Sequence, residues 1–513
     1  MKMTKYIYKY AFALLLGLGV AVSSCDLNVD PRQSIDADQA LNTPDGVEAA
    51  VNSVYARLRQ STNYGRNLLG LSDALADVGR TTSNSGRLIQ ENNNQPNAHF
   101  NSIPGSGLSF WQNSYFAINE ANLILDAIAS GVEGASAGQL ARWEGELKFL
   151  RALYYFDLVK VYTYIPTAIY QPGLVDEGGI PMPLEGSITS DIAFVRNSPR
   201  STIDENYNQI VQDINESIAA LSTSSRAGTQ FASVGAAQGL LARVQLYRGN
   251  WAAARDAAAA ALESEVGTVL GGMDYVAGWR AQNHPEAMFE VRFQIAGEAI
   301  GVNESLQSTY TVLLNLDNKN AQGGWGDFIP NQRVLDFFGL APLQIGEPAS
   351  DNNNWDVTRN DDVRAHLYTT GSTVRGARNI ECVKFISKAG FAYGDNVPVI
   401  RKSEMHLIRA EANYQLGNTG EALTELNAFK SLRGLEAVSV SGEDILEEIL
   451  LERFKEFAFE GHRFFDLKRY GRDLDKRYLG ANNFVPFDDF RILPLIPQRE
   501  VDGNTNLNQN RGY

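Results

Sequence analysis

The sequence predicts a mainly α protein in which helical hairpins form a scaffold and a large irregular, loop-rich insertion with short strands rides on it. Three observations predict this class. Apolar residues recur at helical spacing over long stretches of both halves, a helix-turn-helix pattern occurs twice, and between the two copies Gly, Asn, Asp and aromatic residues increase. The chain has 513 residues, 44% of them hydrophobic, which allows a large core and excludes a largely disordered chain. Lys and Arg number 45 against 60 Asp and Glu, a net charge of −15. That balance excludes a nucleic-acid partner, since phosphate contacts need a basic face. Two cysteines exclude a disulfide scaffold.

Residues 1–24 read as an export signal. Lys2, Lys5 and Lys9 form a positive start, and Ala11 to Val22 is an apolar run too short to span a membrane. Small residues, Val22-Ser23-Ser24, then precede Cys25, as in the lipobox of bacterial lipoproteins. The reading is that Cys25 is lipidated, its thiol carrying diacylglycerol with acyl chains of the palmitate kind, and that several chains give stable anchoring. Cleavage removes three Lys and no acid, so the mature charge is −18. Lipidation also leaves Cys382 without a thiol partner. Residues 25–42 are polar and read as the lipidated tether.

The first helix is signalled by Thr43 as cap, Pro44 in the first turn, and Val47, Ala50, Val51, Val54 and Leu58 at helical spacing. Residues 80–107 read as an irregular loop. Helices follow over Trp111–Ile128 and Glu144–Tyr164; the second carries two apolar stripes and is predicted to be buried on most sides. A further helix is expected over 204–222. Ala242 precedes Gly249-Asn250 and Ala254 with the spacing at which Ala410 precedes Gly417-Asn418 and Ala422. Small residues let two antiparallel helices approach, and Gly-Asn turns the chain between them. This is the tetratricopeptide pattern, in which stacked hairpins bury a continuous core. The predicted units are therefore a helical scaffold over 43–264, a loop-rich ligand-binding region over 265–400 with a strand at Ala287–Phe293, and C-terminal hairpins over 401–513, including a helix over 444–470.

No catalytic constellation stands out. The five histidines are scattered, and HExxH, CxxC and P-loop patterns are absent; no metal site, cofactor or catalytic residue is assigned, and an oxygen-ligand Ca2+ site stays open. Gly134-Ala135-Ser136-Ala137-Gly138 matches G-x-S-x-G, but no strand precedes it, as a nucleophile elbow requires.

Several ordered motifs resemble the SusD/RagB family of nutrient-binding outer-membrane lipoproteins. Glu146–Leu158 is similar to its AEARFLRAxYYFDL segment, and Arg401–Leu416 to its RxxEvxLixAEAxxxLG helix. Glu452-Arg453, Glu460-Gly461-His462-Arg463 and Asp466-Leu467 follow its ERxxEfxfEGxRxxDLxR signature. Leu495–Glu500 and Asn506–Tyr513 resemble its PIPQxE…NPNLxQNPGY ending, with Phe454, Thr505 and Arg511 as departures. The resemblance implies a non-enzymatic, surface-exposed outer-membrane lipoprotein. It would bind oligo- or polysaccharide, or in some members peptide, and pass it to a SusC-like TonB-dependent transporter. The signature carboxylates and arginines are expected to be paired structural charges, so that Glu460→Ala loses stability and not ligand selectivity.

The tryptophans divide by context. Trp111, Trp143 and Trp251 fall in helical patterns and are expected to pack. Trp279, Trp325 and Trp355 fall in Gly/Asn/Asp-rich segments and are the candidate ligand contacts, Trp325 first because Gly324 and Gly326 flank it. An indole face stacks on the C–H face of a sugar while nearby polar groups bond its hydroxyls. Tyr275 and Asn101 are weaker candidates. The loop aromatics favour glycan over peptide; a glycoside hydrolase and an envelope-assembly scaffold remain as alternatives of other classes.

Overall fold

The computed structural model describes residues 41–95, 109–169, 174, 176–187 and 198–513. The predicted export signal, Cys25 and Asn101 lie outside the described residues. Helix α1, Pro44–Arg57, begins as its sequence predicts: the Thr43 hydroxyl accepts from the Gly46 N–H at 3.2 Å, and Pro44 occupies the first turn. Next come α2, Asn67–Leu75, and two long helices, α3, Phe110–Ser130, and α4, Ala137–Tyr162. Helix α4 starts seven residues before the expected Glu144 because Ser136 and Gln139 form a capping box that satisfies its first turn. It is buried without interruption from Trp143 to Tyr162 except at Glu144 and Lys148, as its two apolar stripes require.

Helix α5, Ile203–Thr223, packs on α4 and is tied to it by the buried Arg151–Asp213 pair at 2.7 Å. Then α6, Val234–Arg248, and α7, Trp251–Glu263, form the first hairpin, and α9, Lys402–Gln415, and α10, Thr419–Leu432, the second, with the short α8, Gly272–Arg280, between them in sequence. Both hairpins turn on a left-handed glycine, Gly249 at φ 78° and Gly417 at φ 82°. Ala242, Ala254, Ala410 and Ala422 are all fully buried. The copies lie 168 residues apart in sequence, yet α7 packs directly on α9, so the stack runs α3 to α7 and on to α9 and α10. The intervening region therefore leaves and re-enters the stack at adjacent points.

That region is built of short pieces. Strand β1, Gly79–Thr81, from the N-terminal half reaches into it and pairs with β3, Phe328–Pro330; β2, Ala287–Val291, pairs with β8, Val397–Arg401. β4, Pro342–Gln344, pairs with β5, Trp355–Val357, and β6, Tyr368–Thr370, with β7, Ile380–Cys382; all four pairs are antiparallel. One apolar core joins these strands to the helical stack, and a smaller one lies among α9, α10 and α11, Asp444–Phe457.

The helix expected over 444–470 is broken. It ends at Phe457 and resumes as α12, Arg463–Arg469, because Phe459 (φ 68°) and Gly461 (φ 77°) are left-handed. A Cβ on Gly461 would lie 2.7 Å from the Leu69 Cα, so the chain passes α2 too closely for any other residue.

Candidate functional site

The charged signature residues lie inside the scaffold. Arg401, at the end of β8, meets Glu286 at 2.8 Å, Glu456 at 3.0 Å and Glu460 at 3.0 Å. Glu456 also takes Arg433 at 2.8 Å, and Glu460 takes Lys384 at 2.6 Å. Burial alone would raise the Glu456 carboxyl, but Arg433 and Arg401 hold it well below the usual range. Farther along, Asp466 joins Arg453 to Arg469, and Arg463 pairs with Asp77 at 2.7 Å. Each carboxylate here is buried with a cation partner, so the arrangement clamps elements together. Ser136 of the G-x-S-x-G match caps α4, its hydroxyl donating to Gln139 Oε1 at 2.9 Å. Cys382 is fully buried and its thiol is pushed up to about 12, an inert group. No cluster of three metal-ligating side chains occurs among the described residues.

The five predicted ligand contacts separate. Tyr275 and Trp279 are fully buried and present no face to a ligand. They belong to α8, where Tyr275, Val276 and Trp279 form one helical stripe turned to the core. Guanidinium groups cover the Tyr275 ring, with Arg433 at 3.8 Å, and lie near that of Trp279, with Arg401 at 5.4 Å. Their spacing was the signal; the Gly-rich context concealed it. Both are corrected to scaffold residues.

Trp325 and Trp355 are half-buried, and Arg375 and Arg378, three residues apart, lie over them. Trp325 rides on a tight loop: the Gly323 and Gly324 N–H groups donate to the Val312 carbonyl at 3.0 and 3.1 Å, and the Trp325 N–H donates to that of Ser308 at 3.1 Å. The flanking glycines are required. A Cβ on Gly324 would sit 2.0 Å from the Thr311 carbonyl oxygen, and Gly326 has φ 56°. The indole Nε1 donates to Asn303 Oδ1 at 3.1 Å, and Asn84 donates to the Trp325 carbonyl at 2.7 Å. Beneath the loop the buried Glu381 accepts from the Thr311 hydroxyl at 2.6 Å and the Val312 N–H at 2.9 Å; burial pushes its carboxyl up to about 7.

Arginines lie over both rings, two at Trp325 and one at Trp355, and sequence reasoning missed them. Arg375 lies 4.0 Å and Arg87 5.5 Å from the Trp325 ring centre, and Arg378 lies 4.3 Å from that of Trp355. Tyr393 stands beside Gly323, where an added Cβ would meet its hydroxyl at 2.5 Å. An aromatic face beside amide, hydroxyl and guanidinium donors suits a hydroxyl-rich ring: the C–H face stacks and the rim is bonded. A separate cavity of about 310 Å³ opens between α1 and the segment after β2, lined by Tyr55, Phe231 and Gln230 among others. Its charges are spoken for, Arg59 by Glu298 at 3.1 Å and Arg292 by Glu290 at 2.9 Å.

Among the described residues no helix is long and apolar enough to cross a membrane. A SusD-like family described as starch-binding associating with outer membrane matches residues 31–246, and the SusD family matches residues 347–513. SusD-like protein P38 of Formosa agariphila is 24% identical, the alignment covering 98% of each chain. A SusD superfamily protein from Bacteroides thetaiotaomicron superposes with a TM-score of 0.74 at 23% identity, covering 91% of this chain and 99% of that one. A laminarin-binding SusD-like protein does so at 0.68 and 23%, covering 92% and 100%. At these identities the superpositions show a shared mainly α fold. With two family matches covering most of its length and the signature charges in their scaffold positions, the chain belongs to the SusD/RagB family.

Proposed function

We propose that the mature protein is a non-enzymatic glycan-binding lipoprotein of the outer membrane, surface-exposed and anchored through Cys25. In this reading it captures oligo- or polysaccharide on the Trp325 face and passes it to a SusC-like TonB-dependent transporter. The observation that carries the reading is the platform itself: a half-exposed indole lifted on two obligate glycines and ringed by Asn84, Asn303, Arg375 and Tyr393. Trp355 extends that face, and Asn101, outside the described residues, remains a proposed contact. The family description and the laminarin-binding relative support a glycan as the ligand class. Individual contacts of this kind are weak, and capture gains from many copies held at one surface.

The test is binding by the purified mature chain to a panel of soluble glycans, with Trp325→Ala beside the parent. Loss of a stacking aromatic is expected to weaken binding by about tenfold or more, with little change in melting temperature, because the ring is half-exposed. Unchanged affinity in Trp325→Ala would remove the platform from the site.

A further inference from the structure

We infer that the glycan taken on the Trp325 face is anionic, carrying carboxylate or sulfate groups; this rests on the glycan-binding reading above and narrows its ligand class. The observation is a local excess of unpaired positive charge in a chain whose formal charge is −15. Arg375 is exposed, lies over the Trp325 ring, and makes no ion pair among the described residues. Arg378, three residues on, lies over Trp355; among the described residues its Nη2 reaches only the Ala349 carbonyl at 3.4 Å and Asn352 Oδ1 at 3.1 Å, and its buried Nε has no acceptor. Arg80, exposed on β1, reaches the same segment through a 3.4 Å bond to Asn379 Oδ1 and likewise has no carboxylate partner among the described residues.

Two nearby carboxylates are committed to other cations. Asp327 is held by Arg87 at 2.8 Å and by the Ser85 hydroxyl. Asp356 is held by Arg359 at 2.8 Å, with Lys319 at 4.0 Å. Asp351 accepts from Asn320 and from the Asn353 backbone N–H and makes no ion pair among the described residues, so it is the one carboxylate of this face that offsets part of the excess. Two guanidinium groups, those of Arg375 and Arg378, thus lie over the two tryptophan rings without an ion-pair partner among the described residues, and Arg80 reaches the same segment. A guanidinium offers paired donors to a carboxylate or sulfate, and an indole beside it takes the sugar ring that bears the anion. A hydroxyl-only ligand would leave the donors of Arg375 and Arg378 without a charged acceptor. The rest of the molecule repels polyanions, so binding of one reports this patch and not the overall field.

The experiment compares charged and neutral forms of the same backbones: polygalacturonate against its methyl ester, and dextran sulfate against dextran, with laminarin as a further neutral probe. Affinity of the mature chain is measured at two salt concentrations for the parent, Trp325→Ala and the double variant Arg375→Gln/Arg378→Gln. At least one anionic form is expected to bind about tenfold tighter than its neutral counterpart at low salt, less so at high salt. The double variant is expected to lose that preference without a change in melting temperature. The carboxylate and sulfate arms identify which anion is read. Equal binding of charged and neutral forms, anionic binding that survives the double variant, or binding to none of the probes would each overturn the inference. Neutral-glycan binding abolished by Trp325→Ala, with no anionic preference, overturns it while leaving the glycan-binding reading in place.

Discussion

Trp325 depends on what its neighbours lack. A side chain on Gly324 would drive into the Thr311 carbonyl, at 2.0 Å from the Cβ position. Gly324→Ala is therefore expected to cost about 1–3 kcal/mol and to lower glycan affinity by displacing the loop; thermal melting and binding measured together check this, and unchanged values in both would show that the loop tolerates the shift. Asp73 offers a second test at this scale. It is buried on α2, accepts from the Tyr310 hydroxyl at 2.9 Å and the Gly461 N–H at 3.2 Å, and burial pushes its carboxyl up to about 8. Because the folded value lies above the unfolded one of about 3.9, its contribution to stability is complete below that value and is lost as pH rises through about 8. Asp73→Asn, neutral throughout, should gain on the parent in melting temperature between pH 5 and pH 9. Parallel curves would contradict the assignment. Flanking glycines made Trp325 conspicuous in the sequence. Arg375 and Arg378 were not conspicuous, since a cation over a ring 50 or 23 positions away is a tertiary contact with no local pattern.

The elements are tied by buried charge as much as by apolar packing. Glu460, in the break between α11 and α12, holds Lys384 of the insertion and Arg401 at the end of β8. Glu460→Ala leaves two cations short of a buried partner and is expected to cost about 3–5 kcal/mol in stability. Glycan affinity of the remaining folded protein should be unchanged; denaturant unfolding and a binding titration separate the two, and normal unfolding with abolished binding would move Glu460 into the site. Long helices were legible because their periodicity is local: the capped start of α1, the double stripe of α4 and the Gly-Asn turns all formed as read. Elements set by distant contacts were not. The α11–α12 break is imposed by α2 passing Gly461, and α8 was hidden because Gly271 and Gly272 made a core-facing stripe of Tyr275 and Trp279 resemble a loop.

At the scale of the molecule, the two hairpins recognisable in the sequence are neighbours in one stack, and the region between them carries the aromatic, arginine-ringed face on its flank. A helical frame holds a short-element insertion, and in the proposed reading the loops of that insertion do the recognising, the usual division between scaffold and binding loops. Family membership and fold follow from the matches and superpositions already described. What the account adds is a role, capture of glycan on behalf of a transporter, and that role is tested most directly by purifying the tagged full-length protein from detergent-solubilised outer membranes and identifying everything retained by mass spectrometry. The account predicts a TonB-dependent barrel in near-stoichiometric amount, with oligosaccharide retained by the parent and depleted in Trp325→Ala. Recovery of the protein from the outer membrane with no barrel under gentle extraction would contradict it.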